Sequence, residues 1–189
     1  EAQEEIADLA EALNAPVANS YLHNDSFPIS HPLAVGALGY GGSKSAMRLF
    51  SEADCLIAVG SRLSEFGLLK QYGMDWFPED ADIIQIDIDS SQIGRTTDVE
   101  LGLVGDAGET VRMLSDQIAK SAGAPDNRVE EIKQDYNEWK QELRDMSMVD
   151  GDPIHPRRAC LEVTQALPEG TMISTDIGNT CSMLNAYLE

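Results

Sequence analysis

A chain of 189 residues that is 42% apolar and 24% charged can bury the core of one sizeable domain, or of one domain and part of another. Its 33 acidic against 13 basic residues, a formal charge of -20, argue against nucleic acid and anionic membrane as partners. No apolar run approaches the roughly 18 to 20 residues that a membrane span needs.

Residues 2–14 place Ile6, Leu9, Ala10 and Leu13 at helical spacing, with Asn14 as a stop. Residues 16–20 read as a short strand, and 21–42 as one long loop dense in His, Asn, Asp, Pro and Gly. Loops of that length inside a compact domain usually carry function. Ser43 can cap a helix over 44–53 that buries Ala46, Leu49 and Phe50. Residues 55–59 (CLIAV) are too short for a typical helix and apolar on both faces, the pattern of a strand buried in a parallel sheet.

Residues 61–78 are irregular, and Phe66, Tyr72, Trp76 and Phe77 are read there as rings covering the core edge. Strands over 83–88 and 101–104 follow, then a helix over 107–120 burying Val111, Leu114 and Ile118. Residues 121–127 have linker composition. A charged helix over 128–146 carries Ile132, Tyr136, Trp139 and Leu143 as one stripe. The end reads as a new α/β start: helix 156–167, strand 171–174, turn 175–178 and a helix from Asn179. It cannot be completed within some 35 residues, and a doubly wound domain normally opens on a strand rather than a helix, so the chain reads as a fragment.

Three strand tips supply Gly60 and Arg62, Asp87 and Asp89, and Gly105 and Asp106. Ligands of open α/β sheets sit at such carboxyl ends, where an acid suits ribose hydroxyls and an arginine suits phosphate. The competing reading is an idle crevice with Arg62 paired to Asp87. Cys55, Cys160 and Cys181 form neither a zinc spacing nor a disulfide framework, so a reducing cytoplasm is the expected location. His23, His31 and His155 are too scattered for a metal site. Acid spread along the chain reads as a solvated surface and suits a salt-tolerant protein.

The order FP-x-x-HP (27–32), G-x-x-G-x-x-G (36–42), AD-x-x-x-x-x-G-x-R (53–62), IDID (86–89) and GD (105–106) resembles the central domain of thiamine-diphosphate-dependent enzymes of the acetolactate synthase superfamily. The stretches 21–28, 70–78 and 174–182 look most like the sulfoacetaldehyde acetyltransferase branch. The resemblance implies an α/β fold, a Rossmann-like doubly wound parallel sheet, followed by a connecting helix and an incomplete second α/β unit. It divides the chain into a central domain (1–122, opening strand missing), a linker and connecting helix (123–150), and the start of the cofactor-binding module (151–189).

The resemblance further implies thiamine diphosphate and Mg2+ as cofactors, with ADP or FAD a candidate in the central crevice. It implies conversion of sulfoacetaldehyde and inorganic phosphate to acetyl phosphate and sulfite, in a homodimer or homotetramer. An acetolactate-synthase-like 2-oxo-acid enzyme and a freestanding nucleotide-binding domain are the competing functions. No catalytic residue and no metal ligand is assigned within 1–189, because the family's activating glutamate and its metal-binding element belong to other parts of the subunit. The chain alone is therefore expected to be inactive.

Gly178, Asn179 and Thr180 match the family's turn at the cofactor diphosphate, where helix N–H groups meet an anion. The plain alternative is a helix capped by Asp176 or Asn179. Gly60, Arg62, Asp87 and Asp106 match positions bordering the nucleotide in relatives. His23 and Asn24 are substrate candidates, against a plain role, shared with Asp25 and His31, in fastening the loop. Lys70, Tyr72 and Met74 are read mainly as packing residues.

Overall fold

The computed structural model describes residues 2–21, 23–118, 128–168, 170–176 and 178–188. Helix α1 (Gln3–Leu13) stops at Asn14, whose left-handed backbone lets its N–H reach the Ala10 and Glu11 carbonyls. Strand β1 (Val17–Asn19) pairs in parallel with β2 (Ala34–Ala37). The expected loop 21–42 therefore contains a strand. Its small residues give weak local signal, and burial of Ala34, Val35 and Ala37 decides its conformation. Helix α2 (Lys44–Ser51) starts under Ser43, whose Oγ accepts from the Ala46 N–H at 3.1 Å. Its buried face is Ser45, Ala46 and Met47, with Leu49 and Phe50 half-buried.

Strands β3 (Cys55–Val59), β4 (Asp82–Asp87) and β5 (Leu101–Val104) form one parallel sheet in that order. Its register sets Val59 beside Ile86 and Asp87 beside Val104. Helices α1 and α3 (Ala107–Ile118) bury Leu9, Ile86 and Val111 together with Ile57, Val59 and Leu103. On the second cluster, Ala58, Leu63 and Ile83 meet Leu56, Leu68, Phe77 and Val99, largely from the segments between the strands. The reading of β3 as buried on both faces holds only at Ala58. Cys55 is exposed, because β3 is an edge of the three-stranded sheet.

Helix α4 (Arg128–Ser147) uses its stripe to join two cores. Ile132 packs with Ala10, Leu33, Val35, Met47 and Trp76, while Trp139 and Leu143 pack with Cys160, Leu184 and Tyr187. The latter come from α5 (Pro156–Ala166), α6 (Asn179–Leu184) and the turn after α6. His155 caps α5 through Nδ1, which accepts from the Arg157 N–H at 3.3 Å. The strand expected at 171–174 does not form: residues 171–176 are exposed and carry no strand, with Met172 at 97%. A strand needs a neighbouring edge, and the described residues offer none there. The linker 121–127 and the boundary at 122 lie outside the described residues.

Candidate functional site

The carboxyl ends of β3, β4 and β5 converge as the parallel register requires. The Gly60 N–H donates to the Ile86 carbonyl at 2.8 Å and the Gly105 N–H to that of Asp87 at 3.1 Å. Gly60 takes φ +61°, which glycine tolerates, and nothing lies within 4 Å of where its Cβ would be. Arg62 is exposed, its carbonyl accepts from Thr96 Oγ1 at 3.1 Å, and its guanidinium makes no recorded ion pair among the described residues. The pairing of Arg62 with Asp87 is thus not found.

The three aspartates at these tips already have local work. Asp87 Oδ1 accepts from the Asp89 N–H at 2.9 Å, and Asp106 Oδ1 caps α3 by accepting from the Glu109 N–H at 3.1 Å. Asp89 caps the short 3-10 turn over Ser90–Gln92. Hydrogen bonds from Ser91, and then from Gln92, hold its carboxyl below the usual carboxylate range.

The second arrangement joins the long loop to α6. The N-cap of α6 is Gly178, which has no side chain to cap with, rather than Asp176 or Asn179. Gly178, Asn179 and Thr180 are exposed. Tyr21 Oη lies 2.9 Å from Ser182 Oγ, and Asn24 Nδ2 donates to the Asn185 carbonyl at 3.1 Å. Between these contacts Gly41 lies so close that a Cβ would stand 2.3 Å from the Ser182 carbonyl oxygen. Only a glycine fits, and its φ of +71° points to the same residue.

His23 and Asn24 part company here. His23 is exposed and uses its backbone N–H to close a turn on Ser20. Asn24 faces α6, and two buried amide atoms at this junction, Asn24 Oδ1 and Asn185 Nδ2, have no hydrogen-bond partner. His31 fastens the loop: its Nδ1 accepts from the Leu33 N–H and its ring meets Phe27 edge-on.

Sequence reasoning missed Gln85, Tyr21, Gly41 and Ser182. Gln85 is 2% exposed inside β4, and its amide joins Ser61, Gln92 and Gly94 by three bonds of 2.8 to 3.1 Å. A lone glutamine in an otherwise apolar strand interior was the available signal. Tyr72, expected to pack, does so against Trp139 at 5.5 Å and also donates to the Gly42 carbonyl at 2.8 Å. Burial pushes its phenol above the usual range, against the lowering pull of Arg157. Among the described residues no cluster of three His, Cys, Asp or Glu side chains could hold a metal, and no helix is long and apolar enough to cross a membrane.

Residues 1–114 match the family model "Thiamine pyrophosphate enzyme, central domain". The whole chain is 44% identical to a sulfoacetaldehyde acetyltransferase of Castellaniella defragrans, covering 35% of that relative. It is 41% identical to one of Rhodobacter capsulatus, over 99% of this chain and 35% of the relative. A probable acetolactate synthase large subunit of Methanocaldococcus jannaschii is 34% identical over 94% of this chain and 30% of the relative. The chain thus spans about a third of the length of the curated relatives it matches.

Proposed function

We infer the function from one premise: the chain belongs to the thiamine pyrophosphate enzymes, whose central domain it carries over residues 1–114. The full-length protein is a sulfoacetaldehyde acetyltransferase in this reading, converting sulfoacetaldehyde and inorganic phosphate to acetyl phosphate and sulfite. One observation carries the choice of substrate. Five relatives of that name share 41 to 44% of their aligned residues with this chain, against 32 to 34% for the acetolactate synthases.

Residues 1–122 form the central domain in this reading, 123–150 the linker and connecting helix, and 151–189 the opening of the cofactor-binding module. The bound cofactor supplies the electron sink for cleaving a bond next to a carbonyl. This chain's part is to seat the diphosphate. An α6 start at Gly178, which has no side chain to cap with, and exposed Asn179 and Thr180 fit an anion there, since the first N–H groups of a helix have no partner within it. Asn24, on the loop joined to α6, is the better substrate-side candidate, and His23 the weaker.

In the crevice, unpaired Arg62 suits a nucleotide phosphate of ADP or FAD, and open space at Gly60 admits close approach. Asp87 and Asp106 each keep one carboxylate oxygen outside the turn bonds described above for ribose hydroxyls. A cytoplasmic homodimer or homotetramer completes the proposal. The test supplies full-length protein, thiamine diphosphate and Mg2+ with either sulfoacetaldehyde plus phosphate or pyruvate. Sulfite and acetyl phosphate are expected from the first; carbon dioxide from pyruvate, with no sulfite release, would overturn the substrate assignment.

A further inference from the structure

Asn185, the C-cap of α6, is 5% exposed, yet its amide nitrogen Nδ2 meets no acceptor. Asn24 Oδ1, at the same junction, is buried and meets no donor. One is a donor and the other an acceptor, but they do not bond to each other. Asn24 already spends its own Nδ2 on the Asn185 carbonyl at 3.1 Å, which sets the way its amide points. A buried amide group shut away from both water and a partner costs at least as much as a made bond contributes.

Two hydrogen bonds close this seam: Tyr21 Oη with Ser182 Oγ at 2.9 Å, and Asn24 with the Asn185 carbonyl. When the seam parts, water replaces both bonds and also reaches the two orphaned amide atoms. The polar groups taken together therefore favour opening. No hydrophobic cluster among the described residues joins Tyr21 or Phe27 to α6. What holds the seam closed is the tight fit of the Gly41 backbone against the Ser182 carbonyl.

Each flank is anchored without the seam. Buried Asn19 donates from Nδ2 to the Asn24 carbonyl at 3.1 Å and to that of Phe27 at 3.4 Å. On the other side, Leu184 and Tyr187 pack with Trp139 and Leu143, and Tyr187 Oη lies 2.6 Å from Ser147 Oγ. Parting the seam thus unfolds neither flank.

We propose that this seam is a conformational device: a closed contact held near balance with an open one, in which Asn24 Oδ1 and Asn185 Nδ2 supply the bias toward opening. Opening carries α6 away from Tyr21, Asn24 and Gly41. Helix α4, whose stripe sits in both cores, keeps the two parts joined.

The test uses full-length protein carrying Cys55→Ser, which removes the exposed thiol, and Ser182→Cys, which places a reporter thiol in the seam. Reaction with excess soluble aromatic disulfide is followed site by site by mass spectrometry. Each rate is scaled to that of the same thiol in urea-unfolded protein. The introduced thiol is expected to react at least about tenfold faster than buried Cys160, the marker of global unfolding. Adding Asn185→Leu removes one orphaned group and keeps the backbone carbonyl that Asn24 uses, so it should slow the reporter about 5- to 100-fold. Asn185→Asp puts a charge at the closed seam and should quicken it about tenfold or more.

A reporter no faster than Cys160 would show that the seam parts only on global unfolding. A reporter quickened by Asn185→Leu would show that the amide has a partner in the closed seam, a buried water included. A rate unchanged by Asn185→Asp would show that the Asn185 side chain does not govern the contact. Any one of these overturns the proposal.

Discussion

Gln85 shows how one side chain sets the shape of a crevice. It lies in β4 between Ile84 and Ile86, where an apolar residue would be the ordinary choice. Its Nε2 donates to the Ser61 and Gln92 carbonyls, and its Oε1 accepts from the Gly94 N–H. The segments after β3 and β4 are thus tied to the strand between them, and Arg62 stands directly after Ser61. Gln85→Leu keeps the volume near that of the amide but strands three backbone groups. A loss of about 2 to 4 kcal/mol in urea unfolding is expected. A variant within about 0.5 kcal/mol of the parent would show that these groups find other partners, water included.

At the scale of elements, the pairing of α2 with α4 helps hold α4 on the core that Ile132 shares with β2. Asp135 on α4 accepts from Arg48 Nε at 3.0 Å and from its terminal nitrogen at 2.9 Å, while Ser45 Oγ donates to its other oxygen. Ser45 is 0% exposed, so its hydroxyl has no other outlet. Asp135→Ala should destabilise the protein by about 1.5 to 3 kcal/mol, as expected for hydrogen bonds to a charged group. The more exposed Lys44–Glu142 pair lies on the same seam, and Glu142→Ala should cost under about 1 kcal/mol. Equal losses from the two substitutions in urea unfolding would contradict this ordering.

The same scale separates what could be read in the residues from what could not. Strands β3, β4 and β5 were legible as apolar runs ending in glycine or aspartate, and the stripe of α4 was legible from its spacing. Strand β2 was not, because Ala34–Ala37 has little side-chain bulk and takes its conformation from pairing with β1. The expected strand at 171–174 has suitable residues, but strand formation depends on a neighbouring edge that no local pattern encodes. The start of α6 at Asn179 was legible. The contact of Tyr21 with Ser182 was not, since the two hydroxyls lie 161 positions apart in sequence.

For the molecule as a whole, a formal charge of -20 must be held on one compact surface. Folding brings like charges closer than they lie in the expanded chain, so the net charge opposes the compact state. Ion pairs such as Lys70–Asp75, Arg112–Glu109 and Lys133–Glu130 pull the other way, but their partners are largely exposed and each contributes little. Salt screens both effects, with a Debye length near 10 Å at 0.1 M and about 3 Å at 1 M. Because 33 acidic residues face only 13 basic ones, most carboxylates have no cation to pair with, and screening should favour the folded state. Raising NaCl from about 0.05 to 1 M is expected to lift the thermal midpoint by about 3 °C or more, equivalent to roughly 1 kcal/mol at this size. A midpoint that stays level or falls would mean that the ion pairs outweigh the repulsion, and would remove the case for a salt-tolerant surface.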